Sequence, residues 1–287
     1  MALRLAKTMM LAALLGVAAA SAVANAADLA RPVRVVSLNL CTDQLLLGLA
    51  DPAQIAAVSF LAQDPALSPL AEMARGLPIN RGRLEEVVAL RPDLVIAGRY
   101  GAQQTVSRLR QLGVDVLELD IAQDFDAALA QIGILAEALG QAPRGREMAA
   151  QIGARMAALR AAQPTRRPIA AILDANGLSL GADTLADAVL ALAGFDNAAS
   201  RLGRHGLTRL GLEQALVSDA QLLILNDSEV GWPSLGQALL DHPALARRFD
   251  ADKRIAVPRK LWICGGPAAL DAAELLAAAR MRLARRP

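Results

Sequence analysis

From Asp124 to about Ala162 the sequence offers helix and no strand, whereas on either side short β-rich runs alternate with helical ones. Strands that alternate with helices make parallel sheets covered on both faces. A long strandless stretch therefore divides the chain into two α/β halves. Gly140-Gln141-Ala142-Pro143 breaks the stretch, and Pro143 suits the first turn of a second helix. The expected fold class is α/β: two Rossmann-like lobes with parallel sheets, residues 33–123 and 165–287, joined by a long α-helix within 124–164.

The first half reads as strand Val33 to Leu38, a helix through Ala50 capped by Thr42 or Asp43, strand Ile55 to Ser59, and helix Leu84 to Leu90. Strand Leu94 to Ala97, helix Gln103 to Leu112 and strand Val114 to Leu119 complete it. The second half reads as strand Ile169 to Leu173, helices Thr184 to Ala193 and Leu210 to Leu216, and strand Leu222 to Leu225. Helix Leu235 to Leu240, strand Arg254 to Val257 and a terminal helix from Pro267 follow.

The halves echo each other. LEEVVALRPDLVIA at 84–97 and LEQALVSDAQLLIL at 212–225 both read helix, turn, buried strand. Burial forces the apolar matches, but it does not require Glu85 and Glu213 at the same exposed place. Each also favours its helix dipole, so a structural reason for the pair stands beside a functional one.

Residues 1–26 carry Arg4 and Lys7, an apolar run from Met9 to Ala20, and Ala24-Asn25-Ala26, the pattern of a cleaved signal peptide. The run is short for a membrane anchor, and no cysteine follows it for lipid attachment. An exported, periplasmic protein with no membrane anchor is expected. Without Arg4 and Lys7, basic and acidic residues balance at 28 each, which removes the electrostatic case for nucleic acid. Aromatic residues make up only 2% of the chain.

Cys41 and Cys264 are the only cysteines. In an oxidising compartment they can form a disulfide if the fold brings their Cα atoms within about 7 Å. They could instead hold a soft ligand atom as thiolates, or pack as small apolar side chains.

RVVSLNLCTDQLLLGL, LEEVVALRPDLVIAG, the central helix, GLEQAL and VPRKLWICGGPAAL together resemble the periplasmic cobalamin and iron-siderophore binding proteins that serve ABC importers. The resemblance covers residues 33 to 283. It implies a helix-bridged pair of lobes holding a ligand in the cleft, and a monomer that docks on an ABC permease dimer. In that family an acidic residue on each lobe meets permease arginines, and the matching positions are Glu85 and Glu213. Two equivalent carboxylates suit a two-fold partner.

Ligands of open α/β lobes bind beyond the carboxyl ends of the strands. The loops there supply Asn39, Cys41, Arg99, Tyr100, Trp232, Arg259 and Trp262 as candidate ligand contacts, with Lys260 beside them. Arg99, Arg259 and Lys260 suit an anionic ferric chelate, and the tryptophans suit the broad apolar face of a corrinoid or haem. Trp262 is the favoured wall residue. His242 reads as structural and His205 as a loop residue; two histidines are poor equipment for a bare zinc or manganese ion, so no metal site and no resident cofactor are expected.

The expected function is delivery of a metal chelate to an ABC-type importer, without catalysis. The alternative is a dithiol redox enzyme using Cys41 and Cys264, although no CxxC motif is present. A hydrolase lacks the GxSxG elbow.

Overall fold

The computed structural model describes residues 31–227 and 240–285. The first lobe is built on five parallel strands, β1 Val35–Ser37, β2 Ile55–Ser59, β3 Ile79–Asn80, β4 Leu94–Gly98 and β5 Asp115–Leu119, in the order β3-β2-β1-β4-β5. Around them lie helices α1 Leu40–Leu49, α2 Ala71–Ala74, α3 Leu84–Ala89 and α4 Gln103–Gln111. The chain leaves through α5 Phe125–Ala138, turns at Gly140, and runs along the 20-residue helix α6 Ala142–Ala161. Pro143 stands in the first turn of α6, where its missing N–H has no intrahelical partner to lose.

The second lobe places β6 Ile169–Leu173, β8 Asp196–Asn197, β10 Leu222–Asp227 and β11 Arg254–Pro258 in a parallel sheet ordered β11-β10-β6-β8. Strands β7 Leu178–Leu180 and β9 Leu207–Arg209 form a separate antiparallel ribbon with no counterpart in the first lobe. Its helices are α7 Leu185–Ala193, α8 Ala198–Arg201, α9 Leu212–Val217, α10 Pro243–Arg248, α11 Arg259–Trp262 and α12 Pro267–Ala284. The sequence echo becomes a structural one: α3–β4 and α9–β10 begin at residues separated by the same 128 positions.

The lobes do not keep separate interiors. One apolar cluster runs from Val35, Leu46 and Ile96 of the first lobe, through Ile132, Leu135, Ile152 and Met156 of α5 and α6, to Ile172, Leu190, Phe195 and Leu276 of the second. Fully burying one such side chain stabilises the fold by about 2 kcal/mol, so this continuous seam resists parting of the halves.

Two polar clamps fix the spine. At its start, Arg144 donates to the Leu49 and Ala50 carbonyls ending α1 and pairs with Asp51 at 2.9 Å. Near its end, Arg155 reaches α12, with Nε on Glu274 at 2.8 Å and Nη2 on Asp271 at 2.6 Å. No helix among the described residues is long and apolar enough to cross a membrane.

Candidate functional site

In a parallel sheet every strand ends on the same side, and neighbouring loops diverge where the strand order reverses. In the first lobe that switch lies between β1 and β4, whose following loops carry Asn39 and Arg99-Tyr100. They lie side by side: a Cβ on Gly98 would stand 2.9 Å from the Asn39 amide nitrogen. In the second lobe the switch lies between β6 and β10, with Asp174 after β6 and Arg259 at the end of β11 nearby.

The two sets of loops converge. Cys41, after β1, is disulfide-bonded to Cys264, after α11, with their Cα atoms 5.2 Å apart. Lys260 donates to the Pro65 carbonyl beyond β2 at 3.1 Å. Gly265 fits where a Cβ would come within 2.8 Å of Ala128 and 3.0 Å of Ala122. The carboxyl ends of both sheets therefore face a common cleft, closed at one edge by the disulfide.

The expected site residues fare differently. Asn39, rather than Thr42 or Asp43, caps α1: its Oδ1 accepts from the Cys41 and Thr42 amides. Arg99 pairs with Asp120 at 2.6 Å, and Arg259 stands 3.6 Å from Asp174, so these cations are largely matched within their own lobes. Trp262, on the four-residue helix α11, is 6% exposed and packs in the shared core. Trp232 lies outside the described residues, as does the signal-peptide segment 1–26. Tyr100 is 71% exposed in the turn that Gly101 closes onto the Gly98 carbonyl.

Three further apolar residues, not expected from the sequence, stand in the same loops. Phe60 follows β2, Ile121 follows β5, and Ile263 adjoins the disulfide; all are exposed. With Tyr100 they provide an apolar lining at the strand ends, and the available signal was a large apolar residue just past a strand.

Beneath the cleft Asp43 is fully buried, accepting from the Ser59 amide at 2.9 Å and the Ser59 hydroxyl at 2.5 Å. Ser37 bonds Thr42 at 2.7 Å, and Asn80 donates to the Ser37 and Val58 carbonyls. Burial pushes the Asp43 carboxyl up to about 6, against hydrogen bonds from Ser37 and Ser59 that lower it. This network ties the ends of β1, β2 and β3 under the loops.

Glu85 and Glu213 are both exposed in the first turns of the equivalent helices α3 and α9. His242 caps α10 by accepting from the Ala244 amide, and His205 meets Asp183 at 2.7 Å on the surface. Among the described residues no three His, Cys, Asp or Glu side chains gather to hold a bare metal ion.

A family model described as periplasmic binding protein matches residues 35–251. Among curated proteins, a cobalamin-binding protein of Halobacterium salinarum is 29% identical over 225 residues, covering 77% of this chain and 61% of the relative. The chain thus spans only about three fifths of that relative's length. A vitamin B12-binding protein of Photorhabdus laumondii is 28% identical, covering 70% of this chain and 73% of its own. Among solved structures, the periplasmic heme-binding protein RhuT from Roseiflexus sp. RS-1, in apo form, is 28% identical with a TM-score of 0.73, covering 88% of this chain and 99% of that one. A periplasmic heme-binding protein from Pseudomonas aeruginosa is 25% identical with a TM-score of 0.70, covering 86% and 92%. With two parallel-sheet lobes, a helical spine and a cleft at the strand ends, the chain belongs to the periplasmic binding protein family.

Proposed function

We propose that this protein captures a metal chelate in the cleft and delivers it to an ABC-type importer, and that the chelate is a tetrapyrrole-type ligand. The observation that carries the ligand class is the lining of the loops: Phe60, Tyr100, Ile121 and Ile263 are exposed there, with the Arg81 guanidinium over the Phe60 ring, while Arg99 and Arg259 are matched by Asp120 and Asp174. An apolar wall whose Arg99 and Arg259 are already paired suits a broad macrocycle better than the anionic ferric chelate to which the arginines first pointed. Tyr100 adds a phenol that can ligate ferric iron, as tyrosine does in some haem proteins. The relatives named for haem and for cobalamin support the same class.

In this reading the protein acts in the periplasm after loss of residues 1–26, as a monomer, and Glu85 and Glu213 engage basic sockets on the two halves of the permease. The shared core and the clamped spine allow only modest closure. Delivery needs a concave site and two docking surfaces, and no reacting group. The dithiol alternative has less support: no CxxC motif is present. A thermal-shift panel of haemin, cobalamin and ferric siderophores tests the proposal, since a ligand that binds only the native state raises Tm. A shift with a tetrapyrrole and none with siderophores is expected; a shift with siderophores alone overturns the ligand class, and none with any chelate overturns the function.

A further inference from the structure

At the pole opposite the cleft, where β6 and β10 begin, the second lobe holds a cavity of about 940 Å³. Its lining contributes six cations, Arg166, Arg167, Arg201, Arg248, Lys253 and Arg280, against one carboxylate, Asp219. Arg201 and Lys253 have partners in Asp196 and Asp250. The other four guanidiniums make no salt bridge among the described residues: Arg248 donates to the Ser218 and Ala220 carbonyls, and Arg167 to the Gln163 side chain. A chain whose charges balance after loss of its first residues thus concentrates unmatched positive charge in one concavity.

Arg280 gives that concavity a built base. It is only 8% exposed, its Nη2 donates to the Ala162 carbonyl that ends the spine, and its buried Nε has no hydrogen-bond partner. Gly194 makes room for it, because a Cβ there would stand 3.1 Å from Nε. Burial pulls the Arg280 guanidinium below its usual range. A buried cation without a counter-ion is unfavourable, and a fold that keeps one inside a ring of other cations gains from an anion placed there.

We propose that this cavity is an anion site for a phosphate-bearing ligand, separate from the cleft. Its chemistry is that of a phosphate oxygen cluster meeting several planar guanidinium forks. Two sources share that chemistry, a free phosphate or pyrophosphate and the headgroup of an anionic phospholipid at a membrane surface.

The test is calorimetric titration of the whole protein with inorganic pyrophosphate, alongside co-sedimentation with phosphatidylglycerol vesicles and with phosphatidylcholine vesicles as the neutral control. The variant is Arg166→Glu with Arg167→Glu, both exposed, with haemin binding as the check that the cleft and fold are intact. Saturable pyrophosphate binding that weakens with salt and falls at least about tenfold in the variant is the expected result. Sedimentation with phosphatidylglycerol alone, lost in the variant, supports the site and assigns it to lipid. Binding to neither, or binding that the double charge reversal leaves unchanged, overturns the proposal.

Discussion

Cys41 and Cys264, separated by 223 positions, are joined by a disulfide that ties the first turn of α1 in one lobe to the loop before the last helix of the other. Closing so long a loop removes chain entropy from the unfolded state, by about 5 kcal/mol in the chain-entropy account. Cys264→Ser with Cys41→Ser should therefore unfold at clearly lower urea than the native protein, and the native protein should lose the same increment under a reductant. Equal midpoints in the two proteins would show that the bridge contributes nothing to stability.

Asp43 sets a pH dependence of unusual sign. Its carboxyl is raised from 3.8 to about 6 by burial, so the native state holds a proton that the unfolded chain has released. Stability should therefore fall as pH rises between 3.8 and about 6 and level off above, a total of about 3 kcal/mol from this group. Urea titrations across that window, with Asp43→Asn as the reference that lacks the slope, measure it. A variant with the same slope would place the titration elsewhere.

Arg155 joins the spine to the terminal helix through two carboxylates, and its hydrogen bond holds the Glu274 carboxyl below its ordinary range. A lowered carboxyl contributes stability above its unfolded pKa and loses it as pH falls through the folded one. Arg155→Ala should cost about 1 kcal/mol near neutrality, with the penalty shrinking in acid and in high salt. A penalty that grows in acid would contradict the pairing.

Glu85→Arg with Glu213→Arg should abolish uptake in cells while leaving chelate affinity of the purified protein unchanged, because both side chains sit on exposed first turns rather than in the cleft loops. Uptake at the wild-type rate would remove these residues from the docking surface.

Local burial patterns made much of the fold legible. The apolar periods at 84–97 and 212–225 recur in the structure as α3–β4 and α9–β10, because a helix stripe and a buried strand leave their marks within a few residues. The cap of α1 was displaced by three or four residues, since Asn39, Thr42 and Asp43 are all chemically able to cap and only the backbone path selects among them. The burial of Trp262 was not legible, because rarity of a residue type says nothing about which side of a four-residue helix faces inward. The pairing of Arg99 with Asp120 and of Arg259 with Asp174 spans 21 and 85 positions, and no local pattern encodes it. The shared core, likewise, depends on how α6 and α12 are laid against both sheets.

In the proposed function the cleft receives a macrocyclic metal chelate beside Tyr100. An absorbance titration with haemin, run on the native protein and on Tyr100→Phe, tests it most directly. A saturable one-step spectral change is expected in the native protein, with a shifted ligand spectrum and at least about tenfold weaker binding once the phenol oxygen is gone. Indistinguishable spectra and affinities in the two proteins, or no saturable change in either, would contradict it.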